Sequence, residues 1–412
     1  MNLSKNAKAE WRRFWFLPLT AALGAATSAL CIYSLGPFME PLSREFGWSR
    51  AQISVGISVA TFSSGIFCVP IGILVDRVGP RCVGLIGVPG MSGVFALLST
   101  TTGTTANWIG LWIGIAIGTM FVQPTVWTSA VASRFEASRG LAFAITLSGS
   151  SVAAVVNPVL ATWLIGNYGW RTAFAAMGGG WAMLVFPILV MFFRGAQDTG
   201  PKERVAASSA VLTGITVSEG LRSPALYKLL LAIALFTFTA SGALVHFVPI
   251  LTHRGATPLA AAGIASLIGI FSIVGRLGTG ALLDRFPAHL IGATAFMLPI
   301  LAAVLLLWDG ANPVSQSIAA ATLGLTVGSE VEVIAYLAAR HFGLKNFGAL
   351  YGALLMALSL GAACGPLAAG AVFDRYGSYA PFLMLTMLTM PASAAALGSL
   401  GRPAPATATA TS

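Results

Sequence analysis

Charge is what this chain has least of. Only 9% of its 412 residues are Asp, Glu, Lys or Arg, where an average soluble protein carries about a quarter. So few charges cannot cover a water-facing surface of this size, which excludes a large soluble globule. Cysteine is equally sparse. Cys31, Cys68, Cys82 and Cys364 stand in apolar context without paired spacing, so neither a metal site nor a disulfide is implied. There is no glycine-rich phosphate loop ending in Lys-Ser/Thr, so ATP is not expected to drive the protein. No nucleophile–base constellation suggests an enzyme, and no cofactor is expected. Long polar stretches are missing too, apart from one at 194–224, "RGAQDTGPKERVAASSAVLTGITVSEGLRSP".

What fills the chain instead is apolar: 56% hydrophobic residues and a mean hydropathy of +0.84. Runs of about 20 such residues recur, each long enough to cross a hydrocarbon core of roughly 30 Å. Lipid offers backbone groups no water, so the runs must be helices. Twelve are predicted, at 14–38, 52–75, 82–101, 108–132, 141–166, 171–193, 226–251, 258–283, 289–308, 313–339, 347–371 and 380–400. Lys5, Lys8, Arg12 and Arg13 before the first run resemble the start of a signal peptide. That run is too long and has no A-x-A cleavage pattern, so it reads as a retained helix.

Lys and Arg set the orientation. With the N-terminus inside, 17 of the 23 basic residues fall in cytoplasmic segments and 5 outside. Both termini are therefore expected in the cytoplasm, with the protein in the cell membrane (the inner one in a two-membrane cell). Topology and anionic lipid account for the net charge of +10, and nucleic acid is not needed.

The two halves repeat. "GILVDRVGPR" (72–81) and "GALLDRFPAH" (280–289) share Gly, Asp and Arg at an offset of 208, and Pro158/Pro366, Tyr168/Tyr376, Gly169/Gly377 and Phe174/Phe382 keep the same offset. Such symmetry is how many secondary transporters are built, with substrate bound near the midplane between the repeats. The predicted division is a bundle at 1–193, a cytoplasmic linker at 194–224 and a second bundle at 225–412. The fold class is an all-α membrane protein with twelve transmembrane helices in two pseudo-symmetric six-helix bundles.

Gly72, Asp76, Arg77, Gly79 and Arg81 match the pattern G-x-x-x-D-R-x-G-x-R between the second and third spans. Twelve spans, a six-plus-six repeat and this motif resemble the major facilitator superfamily. The motif glycine reads as a site of close helix approach. The acid–base cluster, with Asp284 and Arg285 in the second copy, reads as a cytoplasmic latch. Within the superfamily, "SRFEASRGLAFAITLSGSSVAAVVNP" (133–158) resembles the monocarboxylate transporters, although Ser272 stands where members often carry an aspartate.

Arg276 is the one basic residue deep in a span. It lies 9 residues before Arg285, about 13 Å in. Glu330 and Glu332 precede Arg340 by 10 and 8 residues, about 15 and 12 Å in. All three should lie near the bilayer centre, where a charge costs roughly 2.5–3.5 kcal/mol on insertion scales and needs a partner or a wet cavity. One glutamate can neutralise Arg276 and the other can carry a proton. Glu330 shares a face with Leu323, Val327 and Leu337 and is expected to be the packed partner. Glu332, about 200° around the helix with Ser329 and Tyr336, is expected to face the cavity. By family analogy Gln123 and Trp127 are candidate cavity residues. Asn157, before Pro158, is expected to cap a bend, and His246 to lie at the interface near the outer end of its span.

The reading is a proton-coupled carrier of small organic anions, monocarboxylate-like, working as a monomer by alternating access. The alternatives are an exporter of a hydrophobic or amphiphilic compound and a transporter-like sensor that does not translocate.

Overall fold

A computed structural model describes residues 5–135, 137–195, 215–283, 285–343 and 347–400. Most of the expected linker and Asp284 lie outside the described residues, as does the side chain of Asp76. The first described element is a short amphipathic helix, α1 (Lys5–Phe14), whose Trp11 packs at a tilt against Phe135. Then come α2 (Phe16–Phe46), α3 (Arg50–Val78), α4 (Pro80–Leu97), α5 (Thr105–Met120), α6 (Pro124–Ala132) and α7 (Arg139–Phe192). Within the expected linker lies α8 (Val217–Arg222); beyond it follow α9 (Pro224–Val245), α10 (Phe247–His253), α11 (Pro258–Leu283), α12 (Ala288–Trp308), α13 (Pro313–Phe342), α14 (Phe347–Tyr376) and α15 (Ala380–Gly398).

Among the described residues, ten helical stretches are long and apolar enough to cross a membrane. One holds two crossings. The 54 residues of α7 would span about 80 Å if straight, far more than a bilayer core. The chain turns instead at Gly169, whose φ of 79° and ψ of 162° leave the helical region. Helix α3, with 29 residues, supplies the remaining crossing. Exposed side chains such as Met183, Leu388 and Ile86 face lipid in this arrangement. The even number of crossings puts both chain ends on one face.

Two expected single spans are broken. The span at 108–132 divides into α5 and α6 because Pro124 supplies no N–H and drives Gln123 into extended backbone (φ −61°, ψ 154°). The span at 226–251 divides into α9 and α10 at His246. By contrast, Asn157-Pro158 makes no such break: Gly169 is the one interior residue of α7 outside helical φ/ψ.

The repeat extends beyond the pairs visible in the letters. Gly169 and Gly377 both take positive φ, and so do Gly47 and Gly255, again 208 apart. Two residues after each of the latter pair, Ser49 and Thr257 cap the next helix by accepting from Gln52 N and Ala260 N. The halves meet along two helix pairs, α3 with α14 and α7 with α11, and the 208 offset carries one pair onto the other. Ser151 and Ser359, which are 208 apart, are both at these seams: Ser272 Oγ donates to Ser151 Oγ at 2.7 Å, and Gly65 abuts Ser359.

Candidate functional site

Helices α11 and α13 lie too close together for side chains between them. A Cβ on Gly275 would overlap the Leu325 carbonyl, one on Gly324 the Ile268 carbonyl, and one on Gly328 the Ser272 carbonyl. Small residues are what permit such approach in a membrane, where apolar surface gives no drive to associate. Thr279 Oγ1 donates to Ser329 Oγ at 2.6 Å across the same seam. This contact fixes the rotation of α13 and brings Glu332 to Arg276.

Arg276 Nη1 lies 3.1 Å from Glu332 Oε1, with side-chain exposures of 10% and 22%. The expected partner was Glu330. The correction follows from helix phase: seating Gly324 and Gly328 against α11 points Glu332 along the seam and turns Glu330 away from it. The pair is incompletely satisfied. Arg276 Nε and Glu332 Oε2 are buried without a hydrogen-bond partner among the described residues, and so is Glu330 Oε1. A guanidinium therefore keeps an unused N–H, and a second carboxylate stands near it.

The other half contributes Tyr33 of α2. Its phenol lies within electrostatic reach of both Arg276 and Glu330. Nothing in the sequence pattern marked it beyond a hydroxyl in the middle of an apolar run. Arg276, Glu332 and Glu330 thus stand together on α11 and α13, with Tyr33 of α2 within electrostatic reach of them.

Other expected members lie elsewhere. Tyr336 accepts from Arg340 Nη2 at 2.9 Å and sits under its guanidinium, one turn toward the face bearing the chain ends. Gln123 is buried and donates from Nε2 to the Ser64 carbonyl at 3.0 Å, tying the α5–α6 break to α3. Trp127 is fully buried against Gly24, Gly84 and Phe193, with Nε1 donating to the Val122 carbonyl, so it packs the core of the first half. Asn157 is buried, but its Nδ2 has no partner, so it donates to no carbonyl freed by Pro158.

His246 is completely buried at the junction of the halves. Its Nε2 lies 2.9 Å from the Pro366 carbonyl and 3.1 Å from Ser54 Oγ, and its Nδ1 lies 2.8 Å from Tyr379 Oη. A carbonyl can only accept, so Nε2 carries the hydrogen and Nδ1 accepts from Tyr379. Close by, Asp374 accepts from Arg50 N (2.9 Å) and Ala51 N (2.8 Å), the first amides of α3. Arg50 also donates to Tyr379 and lies over the Phe373 ring. With Ser58 Oγ donating to the Ala363 carbonyl, these bonds close the face away from the chain ends.

The repeated charge motif sits on the opposite face. Gly72 has open space where a Cβ would stand, so it does not mediate a close approach, and neither does Gly280. On α3 the close approaches come earlier, at Gly56 against Trp112 and at Gly65 against Ser359. Gly79 is required for its backbone (φ 93°, ψ 146°) as the chain turns into α4. Arg81 donates to the Val190 carbonyl at 2.8 Å, a contact within the first half. Arg77 and Arg285 are exposed.

Comparison with known proteins agrees with this architecture. A sequence profile of the Major Facilitator Superfamily matches residues 21–329. The chain is 26% identical to monocarboxylate transporter 13 of Rattus norvegicus, covering 89% of this chain and 83% of that one. It is also 26% identical to a gallate transporter of Pseudomonas putida, covering 94% and 91%. The crystal structure of a D-xylose-proton symporter superposes with a TM-score of 0.74 at 14% identity, over 95% of this chain and 98% of that one. The chain belongs to the major facilitator superfamily and is a membrane transporter.

Proposed function

We propose that the protein carries small organic anions of the monocarboxylate kind across the membrane, coupled to protons, by alternating access. One observation carries the reading: a buried arginine with an unused N–H, beside two carboxylates of which it neutralises only one. Arginine's fork suits a carboxylate, and its charge is permanent. The substrate anion would take the free edge of Arg276. Glu330 would carry the proton, so that anion and proton enter the low-dielectric site with little net charge. Tyr33 reaches the site from the other half and gives substrate a contact that both halves share. The rat relative is named a monocarboxylate transporter and the bacterial one a gallate transporter; gallate too is a carboxylate, which supports this substrate class.

In this reading residues 1–193 and 225–412 rock as two bodies joined by 194–224, with the chain ends in the cytoplasm as the excess of Lys and Arg there indicates. The closed face is then the outer one, and one chain is the working unit. Latching by Asp76, Arg77, Asp284 and Arg285 at the cytoplasmic edge belongs to the opposite state of the cycle.

Thermal unfolding of the purified protein against paired ligands tests the anion site. Benzoate, lactate and gallate are set against benzamide and xylose, which lack a carboxylate. At least one carboxylate should raise the Tm in a concentration-dependent way, and Arg276→Ala should sharply reduce the rise. An equal response to benzamide would remove the carboxylate class.

A further inference from the structure

Between the closed gate and the solvent lies a cavity of about 520 Å³, formed by α2, the far end of α7's first crossing, α10 and the start of α11. Both halves contribute to its wall. Its volume falls in the range of small-molecule sites, roughly 300–1,000 Å³. Pro37, Met39, Ile165, Val248 and Pro249 make the wall largely apolar, and Glu40, Arg44, Arg50 and His253 supply its charged and titratable groups.

Arg50 is the member that gives this cavity chemistry. Its side chain is only 14% exposed. One guanidinium nitrogen, Nη1, is committed to Tyr379. The other, Nη2, lies 3.8 Å from Glu40 Oε2, too far for a hydrogen bond. Glu40 is meanwhile held by Arg44, whose Nε donates to Oε1 at 2.8 Å. Glu40 thus screens Arg50 without satisfying it. Asp374 takes the backbone N–H groups of Arg50 and Ala51, not the guanidinium, so Nη2 is left without a hydrogen bond. His253 packs edge-on against Phe373. Partial desolvation holds its imidazole below the usual range, with Arg50 and Arg254 adding to the effect.

We propose that this vestibule is a second anion site, distinct from the one at Arg276, which binds a small carboxylate with an apolar body at Arg50 Nη2. The carboxylate displaces the loose screen of Glu40 and gains a charge-assisted hydrogen bond that Glu40 does not make. The apolar part lies against Pro37, Val248 and Pro249. Because Nη1 stays with Tyr379, the site fills while the gate is shut. It holds substrate at the mouth of the closed carrier. The inference goes beyond the central-site reading and does not require it.

Benzoate serves as the probe, and protection of an engineered thiol as the readout. Gly166 lines the cavity, and a Cβ there meets open space. Gly166→Cys is made with the four native cysteines replaced by serine and Arg276 replaced by alanine, which removes the central site. An impermeant maleimide is applied from the face away from the chain ends. Benzoate should slow labelling several-fold, and benzamide should not. Adding Glu40→Gln should lower the half-protecting benzoate concentration roughly tenfold, the scale of one charged hydrogen bond freed of competition. Absence of protection would overturn the proposal, and so would protection that Glu40→Gln leaves unchanged. Protection seen only when Arg276 is restored would assign benzoate to the central site and overturn it as well.

Discussion

Arg276 is held in lipid by one ion pair and keeps one donor in reserve. Replacing it with alanine strands Glu332 and removes the proposed anion's partner, so uptake should fall roughly 10–100-fold, the weight of a charge-assisted bond. Arg276→Lys should recover little of it, because an ammonium cannot hold Glu332 and a second carboxylate in one fork. Uptake assays on matched amounts of membrane-inserted protein decide this, and near-normal uptake by the alanine variant would remove the anion site. The glutamates should separate cleanly. Glu332→Gln breaks the pair and should lower stability toward the lower end of roughly 3–5 kcal/mol, since Glu332 keeps 22% of its surface exposed. Glu330→Gln breaks no observed bond and should unfold at nearly the wild-type temperature. Thermal unfolding of the two variants side by side checks the assignment, and the reverse order would return Glu330 to the role of partner.

At the scale of helices, three glycines set the site's geometry without touching substrate. A Cβ at Gly328 meets the Ser272 carbonyl, so Gly328→Ala must push α13 off α11 and carry Glu332 from Arg276. Overpacking of this kind typically costs about 1–3 kcal/mol. Uptake should fall along with Tm, although no polar group is lost; unchanged uptake would mean the seam does not position the pair. A second tie joins α2 to the turn of α7. Glu45 accepts from Trp170 Nε1 and Arg171 Nη1. The Arg171 and Trp170 hydrogen bonds hold its carboxyl below the usual range, burial opposing them slightly. A depressed carboxyl stabilises the fold above its unfolded pKa, and that contribution is lost as pH falls through the folded value. Wild type should therefore exceed Glu45→Gln in Tm at neutral pH, and the difference should vanish in acid below the ordinary carboxylate range. A pH-independent difference would show that the carboxylate's charge is not what holds the turn. These helices also show what the letters reveal. The crossings were legible because lipid demands about 20 apolar residues whatever their neighbours. The pairing of Arg276 was not, because the phase of α13 depends on glycines docking against α11, a contact between residues about 50 apart. Gln123 and Trp127 depend on a local feature instead: Pro124 breaks the helix there, with Gln123 bonded to Ser64 and Trp127 packed within the first half.

Taken whole, the molecule is two copies of one design, closed on the face away from its ends. The repeat was legible in the Gly-Asp-Arg copies, and the structure adds Gly47 and Gly255 with the caps that follow them. What no periodicity could disclose is the bond set across the halves, in which Asp374 meets the first amides of α3 and His246 bridges Ser54, Pro366 and Tyr379. A carboxylate at a helix N-terminus is a favourable but reversible contact. Asp374→Asn should weaken it and shift the population toward opening of this face. Spin labels at Ala106→Cys and Ala311→Cys, both exposed on opposite halves of that face, would then show a longer distance gaining weight. An unchanged distribution would mean that the Asp374 bonds do not hold the face shut.

The proposed proton coupling through Glu330 would join the buried site to the motion of the halves, and it is measured most directly in proteoliposomes under an imposed pH gradient. Labelled benzoate is followed in wild type and Glu330→Gln together, with exchange at equal pH as the control. Wild type should accumulate benzoate above equilibrium, driven by the gradient. Glu330→Gln should exchange it but fail to accumulate it, because a carboxamide cannot release the proton. Accumulation by Glu330→Gln equal to wild type, or wild-type uptake indifferent to the gradient, would contradict the proton's place at Glu330.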